Sequence, residues 1–323
     1  MALTGCGDSG ESGGGGSGAT GGSGGSPDVG GNGGDGGGTT PTAVDQFYTD
    51  FGASRFSQAE ARAADLDALL DTDPTAADPA VVRALAHLWH VAEVGRDPNA
   101  GSVFAEQANL LSQFQQARDN APDDPRVPCW LGLTMLGTGQ ATQDQTLIDQ
   151  GFAMLDEGVN AYPEFNLFCV ALAYGGYPAS DPSFTNAIDA LYQTMDLCFG
   201  ETVDRLNPTI EPYLDQATST GQKRVCWNDP IAPHNAEGFY LFFGDLLVKS
   251  GDLETALVMY GNAKLVAEYA DWPYKSLLEG RLTDDLGARA ALYADADLMN
   301  DPPIAGAELD RGCTYCHAAT AAE

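Results

Sequence analysis

The 323-residue chain carries 15 Lys and Arg against 46 Asp and Glu, a formal net charge of -31 spread along its length. That balance argues against a nucleic-acid partner, because phosphate binding relies on clustered basic groups; an acidic surface suits a salty medium, or steers a basic protein or a cation. No run of about eighteen apolar residues is present, so no transmembrane helix is expected.

From Gly5 to Gly38 the sequence is mostly Gly and Ser with scattered Asp. It lacks the apolar side chains that offset the entropy of ordering, so residues 1–41 are expected to form a disordered tether. The start, Met1-Ala2-Leu3-Thr4-Gly5-Cys6, resembles the end of a bacterial lipoprotein signal, in which Leu, a small residue and Gly precede a lipidated Cys. The resemblance implies a lipid on Cys6 and a place in the bacterial cell envelope, in the periplasm or at the outer membrane or cell surface, with the Gly/Ser tract as spacer. Five residues before Cys6 are too few for the charged and apolar regions of a signal peptide, so the reading expects the rest of the signal upstream of Met1.

Helical periodicity dominates residues 42–295, and alternating strand patterns are hard to find. Asp45 to Leu70 is expected to form one or two helices, with Phe47, Phe51 and Phe56 on an aromatic-rich stretch. Pro79 to Val94 follows, then Phe104 to Asn120, closed by Pro122 and Pro125, and Pro128 opens the next helix. Residues 164–230 are less regular, with a helix near Phe184 to Arg205 and a loop around Pro208 and Pro212.

In Tyr240 to Ala263, the residues Tyr240, Phe243, Gly244, Leu247, Ala256, Tyr260 and Ala263 resemble the packing positions of a tetratricopeptide repeat, and Ser250-Gly251-Asp252 supplies its turn. Glu268 stands where the closing Pro of such a unit belongs. Phe114, Ala117 and Pro122 resemble the end of another unit; Trp130-Leu131-Gly132 opens a third, with Gly151, Leu155, Gly158 and Pro163 in its second half. The resemblance implies an all-α solenoid of stacked helix pairs, whose concave face is a surface for a peptide or protein, or a scaffold for something else.

Seven cysteines divide into groups. Cys6 belongs to the lipoprotein-like start, and Cys313 and Cys316 to the terminal tail, residues 296–323. Cys129, Cys169, Cys198 and Cys226 remain, an even number that fits up to two disulfides with three possible connectivities, or buried free thiols. The preferred pairs are Cys198 with Cys226, closing the irregular segment, and Cys129 with Cys169, in first helices of neighbouring repeats.

The tail contains Cys313-Thr314-Tyr315-Cys316-His317. Two thiols at this spacing can each add to a vinyl group of haem, with the next His beneath the iron, so the sequence is a candidate haem c site; a redox disulfide or part of a zinc site are the alternatives. The motif resembles that of c-type cytochromes, which mature outside the cytoplasmic membrane, the compartment implied by Cys6. Cytochrome c domains wrap a fold after the motif, whereas here Ala318 to Glu323 follow it. Any haem must therefore lean on the repeat domain or on another chain, or stay largely exposed. His234 is the first choice for a sixth ligand and Met299 a further one; His87 and His90, one helical turn apart, suit either a metal or packing beside Trp89.

No Ser-His-Asp order, phosphate-binding glycine loop or H-E-x-x-H motif points to an enzyme. Two readings result: an envelope-anchored protein carrying one haem c that exchanges electrons with a protein partner, or a repeat lipoprotein that binds a protein, with its terminal Cys pair oxidised or structural.

Overall fold

The computed structural model describes residues 41–52, 55–94, 104–272, 274–295, 301, 302 and 304. The lipoprotein-like start, the Gly/Ser tract, Met299 and the terminal motif lie outside these residues. All described elements belong to the compact unit that begins at Pro41.

Twelve α-helices and five short 3-10 turns are present among the described residues, with no strand. The helices are α1 (Ala43–Gly52), α2 (Ala59–Thr72), α3 (Ala77–Val94), α4 (Phe104–Asn120), α5 (Val127–Thr142) and α6 (Gln145–Ala161). They continue with α7 (Pro163–Gly175), α8 (Thr185–Phe199), α9 (Ala236–Ser250), α10 (Leu253–Ala263), α11 (Lys275–Thr283) and α12 (Leu286–Ala294). From α1 to α10 each helix packs on its successor, and α12 returns to α9. The result is an all-α helical-repeat arrangement.

Local chemistry sets the helix ends. Asp144, Asn235, Asp252 and Asp285 accept hydrogen bonds from backbone N–H groups in the first turns of α6, α9, α10 and α12, satisfying donors that have no intrahelical partner. Proline stands in the first turns of α5 and α7, where its missing N–H costs nothing. Gly200 and Gly251 end α8 and α9 in the left-handed region, with φ of 75° and 87°, which glycine adopts without a Cβ penalty. The stretch expected from Asp45 to Leu70 is two helices, and the helix expected to reach Arg205 stops at Gly200 for this reason. Residues 164–230 are more helical than the sequence suggested, since α7 occupies their start.

Three apolar clusters follow one another along the stack: one around Phe47, Leu66 and Trp89, one around Phe114, Trp130 and Phe165, and one around Leu191, Phe243 and Tyr260. Leu85 touches the first two, and Leu133 and Val170 touch the second and third, so burial is continuous from pair to pair. This is the expected result when each pair covers its neighbour's apolar face.

Small residues let the helices of a pair approach closely. A Cβ at Gly244 would lie 2.3 Å from Cε1 of Tyr260, a buried ring on α10. Gly261, by contrast, has nothing within 4 Å of its Cβ position. The same substitution should therefore act with opposite signs. Gly261→Ala is expected to stabilise by about 0.5–1 kcal/mol, the helix-propensity gain. Gly244→Ala is expected to destabilise by about 1–2 kcal/mol, because overpacking exceeds that gain. Urea unfolding midpoints measure both, and a stabilised Gly244→Ala chain would refute the close-packing account.

Candidate functional site

The four cysteines of the repeat region form two disulfides, the two pairs preferred from sequence. Cys129 of α5 joins Cys169 of α7 with Cα atoms 5.6 Å apart, and Cys198 of α8 joins Cys226 with 5.7 Å. All four are buried. The first bond joins helices that α6 separates in the chain; the second fastens the 3-10 turn Gln222–Cys226 to the end of α8. Paired cysteines of this kind belong to oxidising compartments. With four of seven cysteines used, Cys6, Cys313 and Cys316 remain, all outside the described residues.

His234 stands just before α9, in the loop after Cys226. Its ring packs between Phe168 and Phe239, with centroid distances of 4.5 and 4.8 Å. Nδ1 lies 3.3 Å from the carbonyl oxygen of Asn235, the contact of an N–H donor at the edge of hydrogen-bonding range. Nε2 is buried and has no hydrogen-bond partner among the described residues. The ring borders a cavity of about 10 Å³, lined also by Met195, Phe199, Tyr240 and the Cys198–Cys226 disulfide. Such a space holds about one water. Nε2, the ring nitrogen that a sixth ligand would offer, is buried beside it. Burial pushes the imidazole pKa down to about 4, because an imidazolium would lose its hydration there.

This burial has a consequence for stability. In the unfolded chain His234 takes up its proton at the ordinary value of 6.5, whereas the folded chain resists until about 4. Stability from His234 is thus complete above about pH 6.5 and is lost as pH falls toward 4. Subtracting the urea stability curve of a His234→Phe variant from that of the parent should give a difference that declines across this window. Glu237, which burial also holds above the usual carboxylate range, titrates in both chains and cancels. Parallel curves would show that His234 is not buried as described.

The pair His87 and His90 does not form a metal site among the described residues. Nε2 of His87 lies 3.7 Å from Oδ2 of Asp67 on α2, and no three His, Cys, Asp or Glu side chains converge there or elsewhere in the described residues. Burial lowers the His87 pKa. Trp89 is fully buried against the Phe47 and Phe51 rings.

Two polar features of α9 escaped the sequence reading. Asp245 is wholly buried; it accepts hydrogen bonds from the Tyr260 hydroxyl at 2.7 Å and from Nε and Nη2 of Arg281 at 2.9 and 3.3 Å. Lys249, also buried, donates to the Gly175 carbonyl at 3.2 Å and lies over the rings of Phe184 and Tyr293. The only available signal was a lone Asp amid Phe, Gly and Leu on a helix buried on every side.

No family model matches the chain, and no curated protein or solved structure matches it either. Among the described residues no helix is long and apolar enough to cross a membrane.

Proposed function

We propose that this chain is an envelope-anchored helical-repeat protein that carries one covalent haem c at its C-terminal tail and exchanges electrons with a protein partner. The observation that carries the reading is Cys313-Thr314-Tyr315-Cys316-His317, a donor set of two thiols and an imidazole in the order that haem attachment requires. Support comes from the two disulfides of the repeat region, which fit the oxidising side of a membrane where such haem is attached. They also leave Cys313 and Cys316 with no cysteine partner among the described residues. The lipid on Cys6 and the Gly/Ser spacer belong to the same reading.

Cys313 and Cys316 would hold the group by thioether bonds, each thiol adding across one vinyl group with its hydrogen going to the neighbouring carbon, so that no electrons are gained or lost. His317 would supply an imidazole nitrogen to the iron. The haem, once bound, supplies a one-electron couple, and the protein sets its potential through burial and ligation.

The test is production in a host with haem-attachment machinery, followed by mass measurement and a visible spectrum of the denatured chain. A mass above that of the polypeptide by one haem, with a Soret band that survives denaturation, is the expected result. Bare polypeptide mass without that band would end the haem reading and leave protein binding by the repeats as the account of the fold.

A further inference from the structure

The two disulfides of the repeat region are not enclosed alike. Cys129 and Cys169 are each 0% exposed, whereas Cys198 and Cys226 stand at 6% and 9%. Cys226 ends the 3-10 turn Gln222–Cys226, in the longest stretch without an α-helix among the described residues, 200–235. Lys223 is exposed on the same turn, and a Cβ at Gly200, two residues after Cys198, would lie 3.3 Å from its ammonium nitrogen. Arg224 beside it faces Asp229 at 3.9 Å. On a chain with a net charge of -31, the Lys223 ammonium is a local attraction for an approaching thiolate.

Cys198 and Cys226 border the cavity that His234 also lines. With Nδ1 as the N–H donor, Nε2 is an acceptor. Neither Thr194 nor Tyr240, on the same wall, donates to it, and the Thr194 hydroxyl is spent on the Ala190 carbonyl at 2.9 Å. A disulfide has no hydrogen to give. A thiol in its place has one, so cutting this bond supplies a donor at the cavity where a buried nitrogen lacks one. The loop has other holds besides the bond: the Tyr162 hydroxyl donates to the Gln222 carbonyl, and Val225 is wholly buried in the cluster around Trp130. Asn262 accepts from the Ile210 N–H at 3.1 Å and donates to the Pro208 carbonyl at 2.8 Å.

We propose that Cys198–Cys226 is a thiol–disulfide exchange site, opened by a dithiol without unfolding the stack, with His234 accepting a hydrogen bond from a freed thiol. The thiolate of the dithiol attacks Sγ of Cys226, the more exposed of the two, forming a mixed disulfide and releasing Cys198. The second thiol of the dithiol then attacks the mixed disulfide and releases Cys226. The dithiol leaves as a disulfide, and its two electrons and two protons end on Cys198 and Cys226. The hydrogen bond to Nε2 exists only in the reduced form, and it raises the potential of this bond relative to Cys129–Cys169, which has no such acceptor and no exposure. The exchange is independent of any haem at the tail.

The experiment equilibrates the full chain with dithiothreitol at graded ratios of its reduced to its oxidised form, traps thiols by alkylation and maps each cysteine by peptide mass. Cys198 and Cys226 should become alkylated at a several-fold lower ratio than Cys129 and Cys169, with the helical circular dichroism unchanged. As a second measurement, His234→Phe, its oxidised chain checked for unchanged helicity, should need a several-fold higher ratio to open Cys198–Cys226 while Cys129–Cys169 is unmoved. Opening of Cys129–Cys169 first, of both pairs together, or of Cys198–Cys226 only as helicity is lost would overturn the exchange site, as would its failure to open at any ratio. An unmoved ratio in the His234→Phe chain would overturn the part given to the imidazole.

Discussion

Replacing Cys313 and Cys316 together by Ser is expected, on the haem reading proposed above, to remove covalent haem completely while leaving the repeat domain as stable as before. Each thioether needs a thiol sulfur, and a serine hydroxyl does not add across a vinyl group under the same conditions. The two positions lie nine and twelve residues beyond Ile304, the last described residue, and the four cysteines that brace the stack are already paired with one another. The denatured spectrum should therefore lose its Soret band entirely, with the urea midpoint unchanged. A chain with both substitutions that still holds haem after denaturation would place attachment elsewhere. Replacing Cys129 and Cys169 serves as the contrast: it should lower stability by about 2–4 kcal/mol with the terminal motif intact.

The second large effect is expected at Asp245. Its carboxylate is fully buried and engages Arg281, itself only 7% exposed, and the hydroxyl of Tyr260. Asp245→Ala would leave the guanidinium and the phenol without this carboxylate in a region closed to water. Removing one partner of such a buried pair costs about 3–5 kcal/mol, far more than the cavity left by a small side chain. A drop of that size in the unfolding free energy is expected, with a fall in Tm of about 2–4 °C per kcal/mol. The double replacement Asp245→Ala with Arg281→Met should recover a large part of it, because both members of the buried pair are then replaced by apolar groups. If the double variant is as unstable as the sum of the singles, the two groups do not act as a pair.

Helix ends and close contacts were legible in the sequence because they depend on neighbours in the chain. Pro128 marks a first turn, Pro163 the end of the helix before it, Gly251 a last turn, and the spacing of Gly244 and Tyr260 anticipates their contact. Helix α7 was legible only as the surroundings of Cys169, without its bounds. It reads Pro-Glu-Phe-Asn-Leu-Phe-Cys-Val-Ala-Leu-Ala-Tyr-Gly, apolar nearly all round, and it is buried on most sides. A helix enclosed in this way has no solvent face and hence no amphipathic period to detect. Of the candidate site, counting left three connectivities or free thiols open, and the preferred pairing is the one present. The enclosure of His234 was hidden, since it depends on Phe168, 66 positions earlier in the chain. The Asp245–Arg281 pair was equally hidden, for a sequence displays a charge without its partner 36 residues away.

The bond between Cys129 and Cys169 alters how this stack can come apart. A row of helix pairs held only by neighbours opens like a zip from either end, each pair lost at its own modest cost. Because α5 is tied to α7 across α6, no end-initiated opening can carry α7 away while α5 stays, and the middle of the row must let go as a block. The Cys198–Cys226 bond does the same for α8 and the loop before α9. Fraying from the side of Pro41 would thus halt at α5, and a tugged tail would find the middle of the molecule riveted.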